Sequence, residues 1–538
     1  MTAHSSATTS SEEQRRALPV IVLETLLVAM LIIGFTALAA FKIGFYPAPW
    51  KDEPWLMQPA YEVTKQGQMC LPMFRHFDNE VGNQIFTDPV FTYLLAGWFR
   101  IYGFGMTEAR LFNLALSAGV LLLVYLIARQ LGGHMAGLVA LALLIFDNNY
   151  FTGSRFLRND FAAIFFALAA VCCYLRGRKQ GHWYWFLAAG ASAAMSLLSH
   201  LNGIYVIALL GLWLLRDHGW RIVKTRTAWL TAAGVLMLAA PYTAYCLAHK
   251  ETYLAQWQLF TPGRARGLTS GGLWKNISQE PARYRNWQYG VLVLTENRAV
   301  GFFQTATVLA LLYLLATVLV PRWRGSLTTM QARSMVLIAT LWCAFFFASE
   351  VSNKTHSYLP HLTTWFALSI GVAIDNLARL IDRQQRFARL LIMVLSVVAF
   401  AYLYYAAVPA IKYYKYVRTL TPIGQEQTEQ AFRAIIGPDL VPLGSPRHWH
   451  LFAARDDYRA FSRPLSRRIL TGDFGTEQFA MIVNNREKRK FLAVAEQVDQ
   501  PARQFSLLAQ LPDTPYGPLW IYYIGNDLQY LNKPARQF

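Results

Sequence analysis

The sequence predicts an α-helical multi-pass membrane protein with about eleven transmembrane helices, followed by a small soluble α/β domain. Hydrophobic residues make up 54% of the 538 residues, and charged residues only 15%. A soluble chain usually carries about a quarter charged residues. The mean hydropathy is +0.26, and long apolar runs divide the chain as far as residue 408. These observations exclude a soluble cytosolic enzyme and a disordered chain.

Apolar runs of about 20 residues are long enough to cross a bilayer. The first run, 18–46, is too long for the core of a signal peptide, so we interpret it as a retained span after a cytoplasmic tail, 1–17. The other predicted spans are 110–127, 135–146, 161–175, 183–198, 204–215, 229–249, 300–320, 335–349, 359–374 and 390–408.

The distribution of basic residues orients these spans. Lys and Arg concentrate in every second connection, and the short connections 199–203 and 349–358 are nearly free of them. Cytoplasmic loops carry this excess, so the N-terminus is predicted inside and segments 47–109 and 250–299 outside. The rule accounts for much of the net charge of +19 without a nucleic-acid partner.

An odd number of spans also places the tail, 409–538, outside the membrane. The tail combines a helix-like stretch, 424–436, with strand-like runs at 479–483, 505–509 and 519–524, separated by turn residues. This pattern predicts a small soluble α/β domain. The five cysteines have no CxxC spacing and indicate neither a disulfide framework nor a metal site.

An acidic pair follows the first span. Asp52 and Glu53 stand at a membrane boundary, where carboxylates cost solvation energy unless they are used or paired. Taken alone, the pair is more typical of an ordinary hydrophilic loop. Asp88 then precedes Pro89 and an aromatic-rich amphipathic stretch that is typical of a helix lying in the interface.

Outer arginines that depart from the positive-inside pattern precede the fourth span. The guanidinium groups of Arg155 and Arg158 present paired N–H donors that suit phosphate, and Asp160 could hold one of these groups in place. The alternative is a pair of snorkelling side chains with a local salt bridge.

Further polar residues lie at two other outer connections. Lys354, His356 and Tyr358 precede the tenth span and could bind a lipid phosphate; the alternative is an interfacial belt of Tyr and His. His200 lies in a tight turn, where we favour a capping role.

These features, in this order, resemble the GT-C glycosyltransferases, in particular the protein O-mannosyltransferase and aminoarabinose-transferase branch (glycosyltransferase 39/83-like). The residues that carry the resemblance are Asp52-Glu53, Asp88-Pro89 through Tyr93, Gly103, Arg110-Leu111, Arg158-Asn159-Asp160, and Lys354 with Tyr358 and Pro360. The architecture is similar over 18–408. Many relatives carry His-Pro-Pro or Lys-Pro-Pro where this chain has Asp88-Pro89-Val90, and Thr-Lys where it has Ser199-His200. These departures bear on the acceptor and the sugar rather than on the reaction class.

The resemblance implies a bundle of membrane helices with interfacial helices in the first outer loop. It also implies an inverting glycosyltransferase that moves a sugar from a polyprenyl phosphate to a lipid, glycan or protein acceptor at the outer face. Sugar transfer of this kind needs a base for the acceptor and cations for the departing phosphate.

Roles for individual residues follow from this chemistry. Asp52 is predicted to be the base, and Glu53 to orient the acceptor. The predicted phosphate ligands are Arg158 and Lys354, then Arg155, His356 and Tyr358, with Asp160, Asp88 and His200 in support. No metal is required because no nucleotide diphosphate is handled, although the sequence leaves a divalent cation at the acidic pair open. Membrane lipids are expected neighbours, and the predicted location is a bacterial inner membrane with a periplasmic site.

Three other functions fit parts of the pattern. A secondary transporter usually has charged residues and broken helices near the membrane midplane, whereas the candidates here lie at outer helix ends. A glycan ligase or polymerase shares the topology and the lipid donor. A non-catalytic assembly scaffold would not depend on Asp52.

Overall fold

The computed structural model gives the protein as a helical bundle that carries a mixed β-sheet. The residues it describes are 5–44, 46–50, 52–75, 82–260, 270–289, 298–320, 327–350, 358–382, 411–412, 414–415, 418, 425–453, 455, 457–460, 463–471, 477–496, 498, 504–511, 519–531 and 536–537.

Helices account for most of the described chain up to residue 382. In chain order they are α1 (Ser5–Ala40), α2 (Asp52–Gln66), α3 (Pro89–Tyr102), α4 (Met106–Leu131), α5 (His134–Ile145), α6 (Asn148–Ser154), α7 (Asn159–Gln180), α8 (Trp183–Ser199), α9 (Ile204–His218), α10 (Arg226–Ala248), α11 (Lys250–Phe260), α12 (Ser270–Ser278), α13 (Glu280–Tyr289), α14 (Arg298–Leu319), α15 (Leu327–Ser349) and α16 (Leu359–Asp382).

Six of the described helices are long and apolar enough to cross a membrane: α1, α4, α7, α10, α14 and α15. The count becomes seven if α5 and α6, which meet at 69°, form one broken span. The predicted number of about eleven therefore stays a prediction. Ten of the predicted runs coincide with helices, and the eleventh, 390–408, lies outside the described residues.

The remaining predicted spans are short or carry polar residues. Helices α8 and α9 have 17 and 15 residues, fewer than the roughly 20 that span a bilayer. Helix α16 has 24 residues, but His361, Thr364 and Ser369 are among its buried polar side chains. Polar residues within a membrane protein face the bundle interior, and this burial positions His361 for the site described below.

The segment between α1 and α4 folds onto one end of the bundle. Helices α2 and α3 pack against each other, and α3 also contacts α4 and α8. Their apolar faces, including Met57, Phe91 and Phe99, belong to one core with residues of the C-terminal part of the chain. The segment therefore contains helices where the sequence predicts them, and their interfacial position stays a prediction.

The C-terminal part contains a six-stranded sheet. Its strands are β1 (Leu440–Gly444), β2 (Arg459–Ala460), β3 (Gln478–Val483), β4 (Gln504–Leu511), β5 (Leu519–Gly525) and β6 (Arg536–Gln537), and the order across the sheet is β2-β1-β3-β5-β4-β6. Strand β1 runs parallel to β2 and β3, whereas β5 is antiparallel to β3 and β4. The helices beside it are α17 (Gln425–Ile435), α18 (Arg463–Leu470), α19 (Asn485–Ala495) and α20 (Leu528–Leu531).

A 3₁₀ helix, Pro446–Phe452, joins this sheet to the membrane bundle by packing on α2. The ring of Trp449, which is 1% exposed, lies 5.9 Å from the ring of Tyr61 and 5.8 Å from that of Phe104. The C-terminal part therefore rests directly on the helix that begins with the acidic pair.

Candidate active site

The acidic pair forms the first turn of α2. Glu53 is fully buried, and its carboxylate receives a two-pronged interaction from Arg110: Nε donates to Oε1 at 2.8 Å and Nη2 to Oε2 at 2.7 Å. Paired N–H donors of this kind are the strong form of the arginine–carboxylate interaction. Arg110 is itself fully buried, so the two charges neutralise each other inside the protein.

Glu53 also holds backbone groups from two other segments. The amide of Trp50 donates to Oε2 at 2.8 Å, and that of Leu157 donates to Oε1 at 3.0 Å. Nη1 of Arg110 donates to the carbonyls of Ile43 and Pro47, each at 2.8 Å. Each Glu53 oxygen therefore has two donors, and the pair fixes the end of the first span, α2 and the segment before α7 to one another.

Arg158 directly precedes α7 and interacts electrostatically with Asp52, the acid next to Glu53. Burial opposes the charge of Arg158, but Asp160, Tyr358 and Asp52 outweigh it, and the pKa of the guanidinium is raised. Asp52 itself is half-buried. The predicted base and a predicted phosphate ligand, 106 positions apart along the chain, are therefore near enough for their charges to interact.

The guanidinium of Arg158 is enclosed by aromatic rings and a carboxylate. Its Nε donates to Asp160 Oδ2 at 2.9 Å, and Nη2 contacts the same oxygen. The centroid of the Trp50 ring lies 5.0 Å from its Cζ, and that of Tyr358 lies 5.8 Å away. Cations are attracted to such ring faces, so Trp50 and Tyr358 help to orient Arg158.

Asp160 connects three basic side chains. While Oδ2 binds Arg158, Oδ1 lies 3.2 Å from Nε2 of His361 and 3.9 Å from Nε2 of His200. Asp160 and His361 are fully buried. The sequence patterns do not single out His361 as a site residue, although a histidine in the first turn of a predicted span is a usable signal.

His200 ends α8, and its turn is tightly built. Its Nδ1 accepts a hydrogen bond from the backbone N–H of Asn202 at 2.9 Å, which is the capping role expected from the sequence. A Cβ on Gly203 would lie 2.2 Å from the carbonyl oxygen of Ser196, so only glycine fits this close approach. The turn therefore directs the other imidazole nitrogen of His200 toward Asp160.

Asp88 lies at the start of α3 in the left-handed conformation, with φ of 52°. A residue before proline rarely adopts an α-type conformation, and such strain often persists where the surroundings hold it in place. Here Nδ2 of Asn159 donates to Asp88 Oδ2 at 2.7 Å. Asn113 accepts from the amide of Arg158 at 3.2 Å, so amide side chains link α3, α4 and the start of α7.

The remaining predicted phosphate ligands differ in position. Arg155 is fully buried, and its guanidinium donates to the carbonyls of Ala39, Phe41 and Tyr46 at the end of α1. These contacts indicate a structural role, capping the first span, rather than the predicted phosphate contact. Lys354 and His356 lie outside the described residues.

A search of the described residues finds no group of three His, Cys, Asp or Glu side chains arranged to hold a metal ion. The site instead offers the half-buried carboxylate of Asp52 within electrostatic reach of the Arg158 guanidinium, and two histidines and a tyrosine lie around Arg158 and Asp160. A carboxylate can accept a proton, and the cations can stabilise an anionic leaving group.

Part of the chain is similar in sequence to known proteins. Residues 87–245 match the family described as dolichyl-phosphate-mannose-protein mannosyltransferase. Protein O-mannosyl-transferase 1 of Danio rerio is 34% identical over 110 residues, which cover 20% of this chain and 15% of the relative. A dolichyl-phosphate-mannose–protein mannosyltransferase of Candida albicans is 30% identical over 150 residues, covering 25% and 17%.

Solved structures show the fold over nearly the whole chain. ArnT from Cupriavidus metallidurans, solved with undecaprenyl phosphate, aligns with a TM-score of 0.59 at 13% identity, covering 93% of this chain and 98% of ArnT. The Archaeoglobus fulgidus oligosaccharyltransferase aligns with a TM-score of 0.51 at 12% identity, covering 89% and 69%.

The chain is thus similar in sequence to O-mannosyltransferases over part of its length and similar in fold to ArnT. These similarities confirm the resemblance predicted from the sequence. The matched segments cover only 15% and 17% of the two curated relatives. The segment 87–245 contains Arg110, Arg158, Asp160 and His200 but not the acidic pair.

Proposed function

We propose that this protein transfers a sugar from a polyprenyl-phosphate carrier to an acceptor at the outer face of the membrane, with inversion. The observation that carries the proposal is the guanidinium of Arg158, which Asp160 and the rings of Trp50 and Tyr358 hold in place within electrostatic reach of Asp52. The matched family is described with dolichyl-phosphate mannose, and ArnT was solved with undecaprenyl phosphate. Both lipids carry a single phosphate on a polyprenyl chain, and we extend that class of donor to this protein.

The proposed reaction breaks the bond between the anomeric carbon and the phosphate oxygen. The electron pair leaves with the phosphate, and the acceptor oxygen or nitrogen attacks the opposite face of the sugar. Asp52 takes the acceptor proton and offsets the positive charge that develops on the ring. Arg158 stabilises the phosphate as it gains charge, with Tyr358 beside it and Lys354 and His356 retained from the sequence prediction as further ligands.

In this proposal the other acids hold the reacting side chains and the start of α3 in place. Glu53 places Asp52 through the buried Arg110 pair, since both of its oxygens are used within the protein. Asp160 holds Arg158, and Asp88 fixes the start of α3. We place the protein in a bacterial inner membrane with its site on the periplasmic side, and we take a lipid, glycan or protein as the acceptor.

The transporter alternative has less support. Glu24 is the clearest acid within a predicted span, and it is bonded to Tyr125 at 2.6 Å and lies 3.4 Å from Arg129. These contacts give Glu24 a structural role near the start of the apolar part of its helix, Ile21–Ala40. The candidate residues at the outer ends instead favour interfacial chemistry.

The test is transfer by the purified protein in nanodiscs, using labelled undecaprenyl- and dolichyl-phosphate sugars with a mixture of lipid and peptide acceptors. Asp52→Asn should abolish transfer while leaving donor binding intact. Asp439→Asn makes the same chemical change at an exposed site and should retain full activity. Mass spectrometry of lipid that co-purifies with the wild type should find a polyprenyl phosphate or its glycoside. Transfer that survives in Asp52→Asn would exclude Asp52 as the base.

A further inference from the structure

A cavity lies at the end of the bundle opposite to Arg158. Its volume is about 550 Å³, and its walls come from the ends of α7 and α9 and the starts of α8, α10 and α15. Helix α7, which Arg158 precedes, has 22 residues and at about 1.5 Å per residue is about 33 Å long. The hydrocarbon core of a bilayer is about 30 Å thick. If Arg158 lies at one headgroup layer, the cavity therefore lies at the other.

Exposed aromatic side chains surround this end of the bundle. Trp183 and Tyr184 begin α8, and Trp220 and Trp229 lie in and just after the connection between α9 and α10; these four are between 45% and 89% exposed. Trp and Tyr are enriched where a membrane protein meets the lipid headgroups. The aromatic residues therefore support the same placement of the cavity, on the side that the sequence predicts to be cytoplasmic.

Two arginines and one aspartate line the cavity. Nε of Arg178 lies 2.9 Å from Oδ2 of Asp217, and Nη1 of Arg216 donates to Oδ1 at 2.6 Å. These three groups carry one net positive charge, and their side chains keep only 27%, 19% and 11% of their surface exposed. An excess charge that is largely removed from water is costly unless an anion is paired with it.

Hydrogen bonds to α15 hold both guanidinium groups at the wall of the cavity. Nη2 of Arg178 donates to Gln331 Oε1 at 3.4 Å, and Nε of Arg216 donates to Ser334 Oγ at 2.9 Å. Nη2 of Arg216 has no partner among the residues that the structure describes. A guanidinium fixed in this way can offer its remaining N–H donors to the oxygens of a phosphate.

The sequence around the cavity is strongly basic. Segments 175–182 and 216–227 contain seven Lys and Arg residues, whereas Asp217 is the one acidic residue in these two segments. The basic residues are Arg176, Arg178, Lys179, Arg216, Arg221, Lys224 and Arg226. Clusters of this size beside a membrane helix attract anionic lipids. The charge of the surroundings and that of the cavity therefore favour the same kind of ligand.

We propose that this cavity binds the headgroup of an anionic phospholipid, and that Arg178 and Arg216 donate to its phosphate. One phosphodiester supplies the single negative charge that the three lining groups lack. Tyr174 and Phe186 also line the cavity and offer apolar surface to the glycerol backbone, which favours a lipid over a free phosphate ion. The bound headgroup would hold the ends of α7, α9 and α15 together. This inference does not depend on the proposed sugar transfer.

The experiment counts lipids bound to the full-length protein. The protein would be purified in dodecylmaltoside, stripped of lipid and titrated with dioleoyl-phosphatidylglycerol, and bound lipid would be followed by native mass spectrometry. We expect one tight site, with at least about ten-fold weaker binding of dioleoyl-phosphatidylcholine, whose headgroup has no net charge. Phosphatidylglycerol should also raise the unfolding temperature, because a ligand that binds only the folded state stabilises it.

Matched variants test the assignment to the cavity. Arg216→Gln and Arg178→Gln should each raise the Kd for phosphatidylglycerol about ten-fold or more, because a charge-assisted contact is lost. Arg216→Lys loses the same guanidinium contacts but keeps the charge, so it should bind more tightly than Arg216→Gln. Arg221→Gln makes the same chemical change at an exposed residue that does not line the cavity, and should change the Kd by no more than about two-fold.

The outcomes distinguish this cavity from other sources of binding. Equal binding of the two lipids would overturn the role of charge. An equal loss in Arg221→Gln and Arg216→Gln would indicate general attraction to a basic surface and overturn the cavity as the site. Displacement of the lipid by millimolar inorganic phosphate would make the cavity a site for the free ion and overturn its assignment to a lipid. Tight binding of phosphatidylglycerol that is lost in both arginine-to-glutamine variants and retained in Arg221→Gln would support the proposal, whether or not the protein transfers a sugar.

Discussion

Replacing Glu53 with Gln tests whether the second acid of the pair is structural. The change preserves size and shape but removes the negative charge that neutralises Arg110 in a fully buried pair. It also turns one acceptor atom into a donor. Because two N–H groups point at each oxygen of Glu53, the new amide N–H₂ must face donors whichever way it is oriented.

The expected loss of stability is large. Removing one partner of a buried ion pair costs about 3–5 kcal/mol, because the other charge is left uncompensated. The carbonyls of Ile43 and Pro47 still bind Nη1 of Arg110, so we expect the lower part of this range, about 3 kcal/mol. Asp52→Asn, at the half-buried neighbour, should change the stability by less than about 1 kcal/mol.

Unfolding by SDS in dodecylmaltoside micelles measures this difference, and sugar transfer is assayed on the same preparations. Glu53→Gln should unfold at a lower SDS fraction and lose activity in proportion to its unfolded fraction. Asp52→Asn should unfold with the wild type and be inactive. If Glu53→Gln unfolds like the wild type and yet transfers no sugar, Glu53 takes part in the chemistry and its structural assignment is wrong.

Three other measurements test the roles of Arg158, Trp449 and the buried histidines His448 and His450. Arg158→Gln should weaken donor binding about ten-fold or more, because a charge-assisted contact to phosphate is lost; an unchanged Kd for undecaprenyl-phosphate mannose would remove Arg158 from the site. Trp449→Ala should cost about 3–5 kcal/mol at the contact with α2, and limited proteolysis should then release the C-terminal part, whereas a protease-resistant variant would contradict this docking. Burial lowers the pKa of His448 well below its usual value, and burial together with Arg110 lowers that of His450 to about 3. Below about pH 6.5 these histidines therefore bind protons in the unfolded chain but not in the folded chain. For each histidine, the free energy of unfolding should fall by about 1.4 kcal/mol for every unit by which the pH is lowered. SDS titrations at pH 7 and 5.5 should show this loss, and His450→Gln should reduce its slope.

The sequence predicts the helices well because their signal is local. An apolar run identifies a helix such as α4 or α7 without reference to the rest of the chain, and most predicted runs coincide with a helix. The number of spans is harder to predict, because α8 and α9 are short and α16 buries polar side chains. Hydropathy alone does not separate a short membrane helix from a helix enclosed by its neighbours.

The candidate site, too, could be predicted from the sequence only in part. Local patterns single out Asp52, Glu53 and Arg158 as candidates, but they do not show which of the two acids is bonded by internal donors at both oxygens. Glu53 is bonded in this way because Arg110, 57 positions away in the chain, and two backbone amides donate to it. Arg155 and Arg158 look equivalent in the sequence, yet one caps α1 and the other is held by Asp160. Roles of this kind depend on long-range contacts, which a single sequence does not contain.

The contrast between the two acids gives each a separate task in the proposed reaction. A base must keep an oxygen available for the acceptor proton, so a carboxylate saturated by four donors cannot serve. A carboxylate on the first turn of a helix must nevertheless be held precisely, because small displacements of a reacting group cost large factors in rate. In the proposed reaction Glu53 supplies that restraint for Asp52 from the adjacent position, and Asp160 supplies it for Arg158 from two positions away. Each proposed reacting side chain therefore has a buried acid close in sequence that fixes the backbone or the guanidinium.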